Sequence, residues 1–236
     1  MARQSRWPGR HPRIHSHPSG PGFYAGAVEF SEVIKRRKMV RAFTAEPLAP
    51  GVADRLLRAA NRAPSAGFSQ GYSFLVLEGT EQTAPLWELF YADAASATAG
   101  EDDERAQLAA LCPAPLVIVP LACKDVYLDR YAEGDKGWRD RDESRWPVPY
   151  WYIDTGFTAL LVLLAVVDEG LGSVFFGIQP GIMADFRTRF GVPEKWTPIG
   201  ALAIGHPDLN PGADPVPPAR ASDRKSLEEL VHRGRW

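Results

Sequence analysis

The sequence predicts an α+β fold. Strand-like and helical segments follow one another without repeated β-α-β units, which argues against a doubly wound parallel sheet. Residues 116–121 are almost wholly apolar, as expected for a strand in a sheet that is covered on both faces. Residues 153–167 are apolar on all sides, which predicts a helix buried at the centre of the fold or in a subunit interface.

Composition and charge exclude several classes of protein. The 236 residues include 27 Lys and Arg against 29 Asp and Glu, so the formal charge is −2, and 45% of the residues are apolar. Long disordered chains combine low hydrophobicity with high net charge, and nucleic-acid-binding domains carry a basic field, so neither class is expected. The length fits one large domain, or at most two.

We expect a cytoplasmic protein with no membrane partner. The longest apolar run, residues 155–167, has 13 residues, fewer than the roughly 18 of a membrane-spanning helix. The N-terminus lacks the apolar segment of a secretory signal. The two cysteines, Cys112 and Cys123, form no CxxC motif, and we interpret both as buried apolar side chains.

Residues 1–27 are predicted to be a disordered, basic, Pro-rich tail, and residues 28–236 to form the domain. The first 28 residues contain four Arg, three His and no acid, and their four prolines prevent regular structure. Histidines in a flexible tail lack the fixed geometry of a metal site. No His, Cys and carboxylate cluster elsewhere has metal-ligand spacing, so no metal is expected.

The first half of the domain is predicted to be mainly helical. Apolar residues at helical spacing indicate a helix over residues 28–38. A second helix follows Pro50, carries an apolar stripe from Val52 to Ala60, and ends before Pro64. The remaining elements of this half are a strand at residues 72–77, helical residues 81–111 and the apolar strand at residues 116–121.

The second half contains a long segment without clear periodicity. Residues 125–151 are charged and aromatic, which predicts a functional loop or a lid. The apolar helix that follows ends at Gly170 and Gly172. The remaining predicted elements are strands at residues 173–178 and 199–204, a helix around residues 182–190 and a short final helix at residues 226–232.

Several kinds of catalytic motif are absent from the sequence. It has no GxxxxGK[ST] and no HExxH, and no GxGxxG follows a strand. The domain offers two histidines, His206 and His232, and nothing supports a nucleophilic triad. If the protein is an enzyme, we therefore expect a bound cofactor to supply the difficult chemistry.

Four separate segments together point to an anionic, planar ligand. The first segment contains four cations, Arg36, Arg37, Lys38 and Arg41. In the second, residues 63–71, small residues allow backbone N–H groups to approach a ligand, and Gln70 can donate and accept hydrogen bonds. The third, residues 170–177, is an apolar strand that leads into a glycine, and the fourth is Arg224 with Lys225. Each segment alone could be a solvated face, a turn or a helix flank.

In this order the four segments resemble the FMN-dependent nitroreductase family. The family opens with a basic pair, a small residue, Val or Thr and a further cation. It continues with an Ala-Pro-Ser loop followed by Gln, then a Gly-Leu-Gly segment, and it ends with a cation ahead of a Leu-Glu-Glu-Leu helix. The resemblance covers residues 28–236. The matching segments are residues 37–41, residues 63–65 with Gln70, residues 170–172 and residues 224–232.

The resemblance implies a nitroreductase-like α+β fold, with a central, mostly antiparallel sheet flanked by helices. It also implies a homodimer with FMN at the subunit interface, where loop 64–67 of one subunit reaches the flavin held mainly by its partner. Met39 stands where the family more usually has Ser, and removes one possible phosphate hydrogen bond. The implied cofactor-binding residues are Arg37, Lys38, Met39, Arg41, Pro64, Ser65, Ala66, Gly67, Gln70, Phe176, Gly177 and Arg224.

The resemblance also implies distinct roles for the charged residues. Arg37 and Lys38, with Arg224 or Lys225, would bind the FMN phosphate through charge-assisted hydrogen bonds. Arg41 would lie near the N1/O2 edge of the flavin and stabilise the negative charge that develops there on reduction. The backbone of residues 176–177 would lie by N5, where hydride arrives.

The implied activity is transfer of two electrons from NADH or NADPH to a small electron-poor acceptor, such as a nitroaromatic or a quinone, by a ping-pong mechanism. No side-chain nucleophile is required, so no catalytic residue is assigned beyond the electrostatic role of Arg41. Alternatives are specialised flavin chemistry on the same fold, either reductive dehalogenation or flavin cleavage, and a flavin-binding regulatory protein with little turnover.

Aromatic residues near the end of the irregular segment are candidates for an acceptor pocket. Trp146, Tyr150 and Trp151 could stack on a flat substrate. The alternative is a surface loop that packs its own aromatic side chains.

Overall fold

The computed structural model describes residues 28–95, 101–210, 212–214 and 224–236. The predicted disordered tail, residues 1–27, lies outside the described residues. The helices are α1 (Phe30–Arg36), α2 (Val52–Ala60), α3 (Gly79–Ala94), α4 (Glu101–Leu111), α5 (Lys124–Ala132), α6 (Tyr150–Asp168), α7 (Met183–Phe190) and α8 (Leu227–Leu230). The strands are β1 (Tyr72–Glu78), β2 (Leu116–Ala122), β3 (Gly172–Phe176), β4 (Thr197–Pro198) and β5 (Ala201–Gly205).

The strands form one antiparallel sheet in the order β1-β2-β5-β3, and the short β4 pairs with β2. Helices cover both faces of this sheet, so the predicted α+β fold and antiparallel sheet are confirmed. All seven residues of β2 are buried, as the apolar run at residues 116–121 predicted. Alternate residues of β2 point to opposite faces: Ile118 packs with α2 and α6, and Val119 packs with α3 and α7.

Helix α6 combines a buried face with an exposed apolar face. Val162 and Val166 are fully buried against α2 and the sheet. On the other face Ile153, Phe157 and Leu160 are 37%, 41% and 46% exposed. By length and composition alone α6 could cross a membrane, and 44% of that stretch is buried inside the protein. Because α6 packs against α2, β2 and β3, its apolar composition is that of a core helix.

The prediction of an irregular segment at residues 125–151 is wrong at both ends. Helix α5 occupies Lys124–Ala132, and α6 already begins at Tyr150. Helix α5 buries Tyr127 and Leu128, and these two adjacent residues, set among charges, show no helical repeat in the sequence. The connection between the two helices is a loop with a short 3-10 turn at Glu143–Arg145.

Several other boundaries and burials also differ from the predictions. The last helix is shorter than residues 226–232, since α8 spans four residues and Val231 is already extended. The strand predicted at residues 173–178 ends at Phe176. Both cysteines are free thiols, but Cys123 is buried whereas Cys112 is only half-buried.

Candidate functional site

The first motif, residues 37–41, is an extended segment that lies beside the edge strand β3. Helix α1 ends when the Arg37 N–H donates to the Val33 carbonyl at 2.9 Å. Two residues further on, Met39 pairs with Ser173 as a parallel bridge, and the Val40 N–H donates to the Ser173 carbonyl at 2.9 Å. The structure thereby brings the Arg37–Arg41 segment next to the third motif, residues 170–177, although 128 residues of sequence lie between them.

The two glycines of the Gly-Leu-Gly segment have different structural roles. Gly170 has φ of 72° and ends α6, with the Leu171 N–H donating to the Val166 carbonyl at 3.0 Å. This left-handed residue and its hydrogen bonds form a Schellman motif, for which glycine is favoured. At Gly172 a Cβ atom would lie only 2.9 Å from the Cβ of Val40. Gly172 is therefore what allows the first motif to approach β3.

Three cations of the first motif have no acidic partner within the described part of the chain. Lys35 pairs with Glu32 at 2.7 Å, and Arg36 reaches the same carboxylate at 3.9 Å. No ion pair joins Arg37, Lys38 or Arg41 to a described carboxylate. Lys38 lines a cavity of about 240 Å³ together with Arg36, Val167, Gly170, Leu171 and Ser173. Uncompensated cations beside a cavity suit an anionic group such as a phosphate.

The second motif, residues 63–71, is a loop with an unusual backbone. Gly67, Phe68 and Gln70 have φ values of 61°, 55° and 53°, all in the left-handed region. For residues with a side chain, this conformation costs free energy and is concentrated at functional sites. The loop displays the Phe68 side chain, which is 75% exposed. Its shape is closed by the Gln70 N–H, which donates to Ser65 Oγ at 3.0 Å.

Side chains of α5 and α6 hold this loop. The Ala66 N–H donates to Oδ2 of Asp154 at 2.8 Å, and Arg130 Nε donates to the Gly67 carbonyl at 3.0 Å. A Cβ at Gly67 would lie 2.6 Å from the ring of Tyr131, so only glycine fits there. Asp154 is not among the residues that the sequence motifs single out. The available signal was an acidic residue at the start of a long apolar helix.

Residues 67–71 also match the GxSxG pattern of serine hydrolases, but the geometry is wrong for a nucleophile. In those enzymes the serine lies on a sharp turn from a strand into a helix. Here the serine, Ser69, lies between α2 and the following strand β1. Its hydroxyl donates to the Ala66 carbonyl at 2.6 Å and so stabilises the loop.

The end of β3 presents open backbone. The ring of Phe176 packs into the core, with ring centroids 5.8 Å from Trp87 and 5.5 Å from Phe90. Gly177 is exposed, and no heavy atom lies within 4 Å of the position of a Cβ there. The backbone of residues 176–177 is therefore fixed on one side by the core and accessible on the other.

The candidate pocket aromatics pack against one another. The Trp146 ring lies 4.4 Å from Tyr131, 5.7 Å from Tyr150 and 6.1 Å from Trp151, measured between centroids. Trp151 is buried, whereas Trp146 and Tyr150 are half-buried. Within the described residues the Trp146 Nε1–H has no hydrogen-bond partner. The cluster touches the second motif through Tyr131, so it backs the loop on which Phe68 is displayed.

Arg224 lies in a separate C-terminal segment. Residues 224–236 are exposed along their whole length, and α8 begins with a capping box between Ser226 and Glu229. Among the described residues Arg224 has no ion pair or hydrogen bond. The structure therefore brings the first and third motifs together and fixes the second on α5 and α6, but it leaves the fourth exposed.

Comparison with known proteins identifies the class of this fold. The model of the Nitroreductase family matches residues 34–206, and the chain belongs to the nitroreductase family. The resemblance drawn from the four motifs is thus confirmed. A relative from Methanothermobacter thermautotrophicus, named as a candidate NADH dehydrogenase/NAD(P)H nitroreductase, is 23% identical over 87% of this chain and 90% of its own length. An NADPH-flavin oxidoreductase of Vibrio harveyi is 36% identical over 67 residues, which are 28% of each chain.

Solved structures share the fold at low sequence identity. The nitroreductase CinD from Lactococcus lactis, in complex with nicotinic acid, superposes with a TM-score of 0.67 at 18% identity, over 86% of this chain and 99% of that one. The same protein in complex with chloramphenicol gives a TM-score of 0.65 at 18% identity, over the same shares. An FMN-dependent nitroreductase from Clostridium difficile gives 0.58 at 22% identity, over 86% and 98%.

Proposed function

We propose that this protein transfers two electrons from NADH or NADPH, through bound FMN, to nitroaromatic, quinone or similar electron-poor acceptors by a ping-pong mechanism. As a member of the nitroreductase family, the chain is an NAD(P)H-dependent oxidoreductase with FMN as its cofactor. The observation that carries the proposal is a set of three cations, Arg37, Lys38 and Arg41. They belong to the segment that pairs with the start of β3, and they have no acidic partner among the described residues. When bound, FMN supplies the group that accepts and donates hydride.

The residues beside β3 fit the phosphate of FMN. Arg37 and Lys38 would bind the phosphate. The exposed Arg224 would add a third positive charge when the C-terminal segment approaches the phosphate. A guanidinium bonds a phosphate through two parallel N–H groups, which fixes its position as well as its charge. Met39 offers no hydroxyl, so the phosphate depends on the cations more strongly than a site with Ser at this position.

Arg41 is proposed to act on the ring of the cofactor rather than on its phosphate. It is half-buried, and the chain runs directly from it into Ala42 and Phe43, both buried in the core. A fixed positive charge favours whatever state of a neighbouring group is more negative. The open backbone of residues 176–177 is the proposed position for the reacting edge of the ring.

A homodimer is proposed on the basis of an exposed apolar surface. Phe30 and Ile34 on α1, and Phe157 and Leu160 on the adjacent α6, are between 41% and 69% exposed. Helices α1 and α6 pack against each other, and large apolar side chains left exposed on both of them suit an interaction surface. Because Asp154 ties loop 64–67 to the first turn of α6, the loop lies at one end of a helix that carries this surface, and from there it could contact the flavin of a partner subunit.

The acceptor pocket is proposed to include Trp146, Tyr150 and Trp151. Their mutual packing makes them a rigid wall behind the second motif, so direct stacking on the acceptor falls to the half-buried Trp146 and Tyr150. A cytoplasmic location is also proposed, and the two free thiols of the described chain fit a reducing compartment.

The proposal is tested by steady-state kinetics of the flavin-loaded protein. Oxidation of NADH or NADPH should be coupled to reduction of a nitroaromatic and of a quinone, with parallel double-reciprocal lines. Turnover of halogenated aromatics or of the flavin itself, without nitro or quinone reduction, would instead indicate specialised chemistry. Oxidation of neither NADH nor NADPH with any acceptor would indicate a regulatory flavin-binding protein.

A further inference from the structure

A buried carboxylate joins the second motif to two helices. Asp154, in the first turn of α6, is 3% exposed. Its Oδ2 accepts hydrogen bonds from the Ala66 N–H at 2.8 Å and from the Tyr127 hydroxyl at 2.9 Å. No described cation lies within 4 Å of this carboxylate, and both of these donors are neutral groups.

Fold stability alone gives a poor account of this arrangement. Burial of a carboxylate without a cation is costly, and apolar side chains usually occupy such positions more favourably. The other buried polar side chains of the same helix, Thr155 and Thr158, are uncharged hydroxyls that bond carbonyls of α6 itself, whereas Asp154 carries a carboxylate that bonds groups outside the helix. Asp154 therefore performs a task that an apolar residue could not, and the group it contacts is the loop.

The loop needs an external support because its backbone is strained. The left-handed Phe68 and Gln70 are stable only when surrounding contacts determine their conformation. Tyr127 supports both ends of the loop: its hydroxyl bonds Asp154, and its ring lies 2.4 Å from the position that a Cβ would take at Gly71. Burial and the hydrogen bond to Asp154 raise the pKa of Tyr127 above its usual range, so the hydroxyl remains a donor at neutral pH.

We propose that Asp154 and Tyr127 are positioning residues that hold loop 64–70 in the shape in which it contacts the flavin of the partner subunit. This assignment rests on the proposed function for its ligand, but not for the contact itself. A loop ordered before binding loses less conformational freedom when the flavin binds. Removal of the carboxylate therefore weakens FMN binding without removing any group that touches FMN.

The test compares substitutions at Asp154 and Tyr127 with a control on the same helix. Asp154→Ala removes both hydrogen bonds, Asp154→Asn keeps an oxygen that can accept both, and Tyr127→Phe removes one. Thr158→Ala is the control, since within the described residues the buried Thr158 hydroxyl bonds only the Thr155 carbonyl of its own helix. Amide hydrogen exchange over residues 65–70 reports the loop in each flavin-free protein, and flavin fluorescence gives the dissociation constant for FMN.

We expect Asp154→Ala to accelerate exchange at Ala66 and to weaken FMN binding by about tenfold. Tyr127→Phe should have a smaller effect in the same direction, and Asp154→Asn should restore both values toward wild type. Thr158→Ala should lower the melting temperature while leaving loop exchange and FMN affinity unchanged.

Unchanged loop exchange and FMN affinity in Tyr127→Phe and Asp154→Ala would overturn the proposal, as would an equal effect of Thr158→Ala. If Asp154→Ala fails to fold, the contrast between Tyr127→Phe and Thr158→Ala decides the question. A wild-type protein that binds no FMN would refute the proposed function instead, and loop exchange would still decide whether Asp154 holds the loop.

Discussion

Substitution of Gly172 tests whether the first and third motifs depend on one close contact. A Cβ at this position would lie 2.9 Å from Cβ and Cγ1 of Val40 and 3.0 Å from Cγ of Pro207. The Val40 segment must then move away from β3, and such overpacking costs about 1–3 kcal/mol. Gly172→Ala should therefore lower the free energy of unfolding by that amount, measured in urea. Because Arg41 follows Val40 directly, FMN affinity should fall as well.

The matched control is Gly191→Ala. Gly191 has φ of 63° at the end of α7, and no heavy atom lies within 4 Å of a Cβ there. Backbone strain alone should cost about 1–2 kcal/mol, a loss similar to that of Gly172→Ala, but FMN affinity should not change. The reasoning is refuted if Gly172→Ala binds FMN as tightly as wild type, or if both variants lose affinity equally.

Four further substitutions test charge, assembly and stability. Arg37→Ala should weaken FMN binding by about 1.5–3 kcal/mol, with activity returning at saturating FMN. Arg41→Ala should make the flavin midpoint potential more negative and slow flavin reduction even at saturating FMN, because only the ring changes charge on reduction. The opposite pattern in redox titrations and stopped-flow measurements would place Arg37 at the ring and Arg41 at the phosphate. Leu160→Asp should give a monomer with weakened FMN binding by sedimentation and titration, and an active monomer that retains flavin would contradict the shared site. Glu169→Gln should lower the free energy of unfolding in urea by about 1 kcal/mol, since Glu169 forms a two-point ion pair with Arg55 at 2.7 and 2.8 Å; an unchanged value would mean that the pair adds nothing.

Local patterns allowed much of the fold to be predicted from sequence. The unbroken apolar run of β2 reports burial on both faces, and that property belongs to the strand itself. Gly170 likewise signals the end of α6, because a left-handed cap favours glycine. The order of the motifs predicted the family, since their spacing along the chain is a property of the sequence alone.

Features that arise from contacts distant in sequence could not be predicted. Helix α5 carries its buried residues, Tyr127 and Leu128, beside one another rather than at helical intervals, so it resembles a loop until the sheet and the second motif are in place. Asp154 reads as the polar boundary of an apolar helix, and its partner Ala66 lies 88 residues away. Likewise, nothing in the sequence around Gly172 indicates that Val40 is its neighbour in the fold.

Arg37 and Lys38, which have no acidic partner in the described part of the chain, are proposed to recognise the phosphate of FMN. This central claim is tested most directly by titrating the flavin-free protein with FMN and with riboflavin, which lacks the phosphate, in wild type and in the double variant Arg37→Gln/Lys38→Gln. Two charge-assisted hydrogen bonds at about 1.5 kcal/mol each predict roughly 100-fold tighter binding of FMN, at one per subunit, and most of this difference should vanish in the double variant. Equal affinity of the wild-type protein for FMN and riboflavin would contradict the claim.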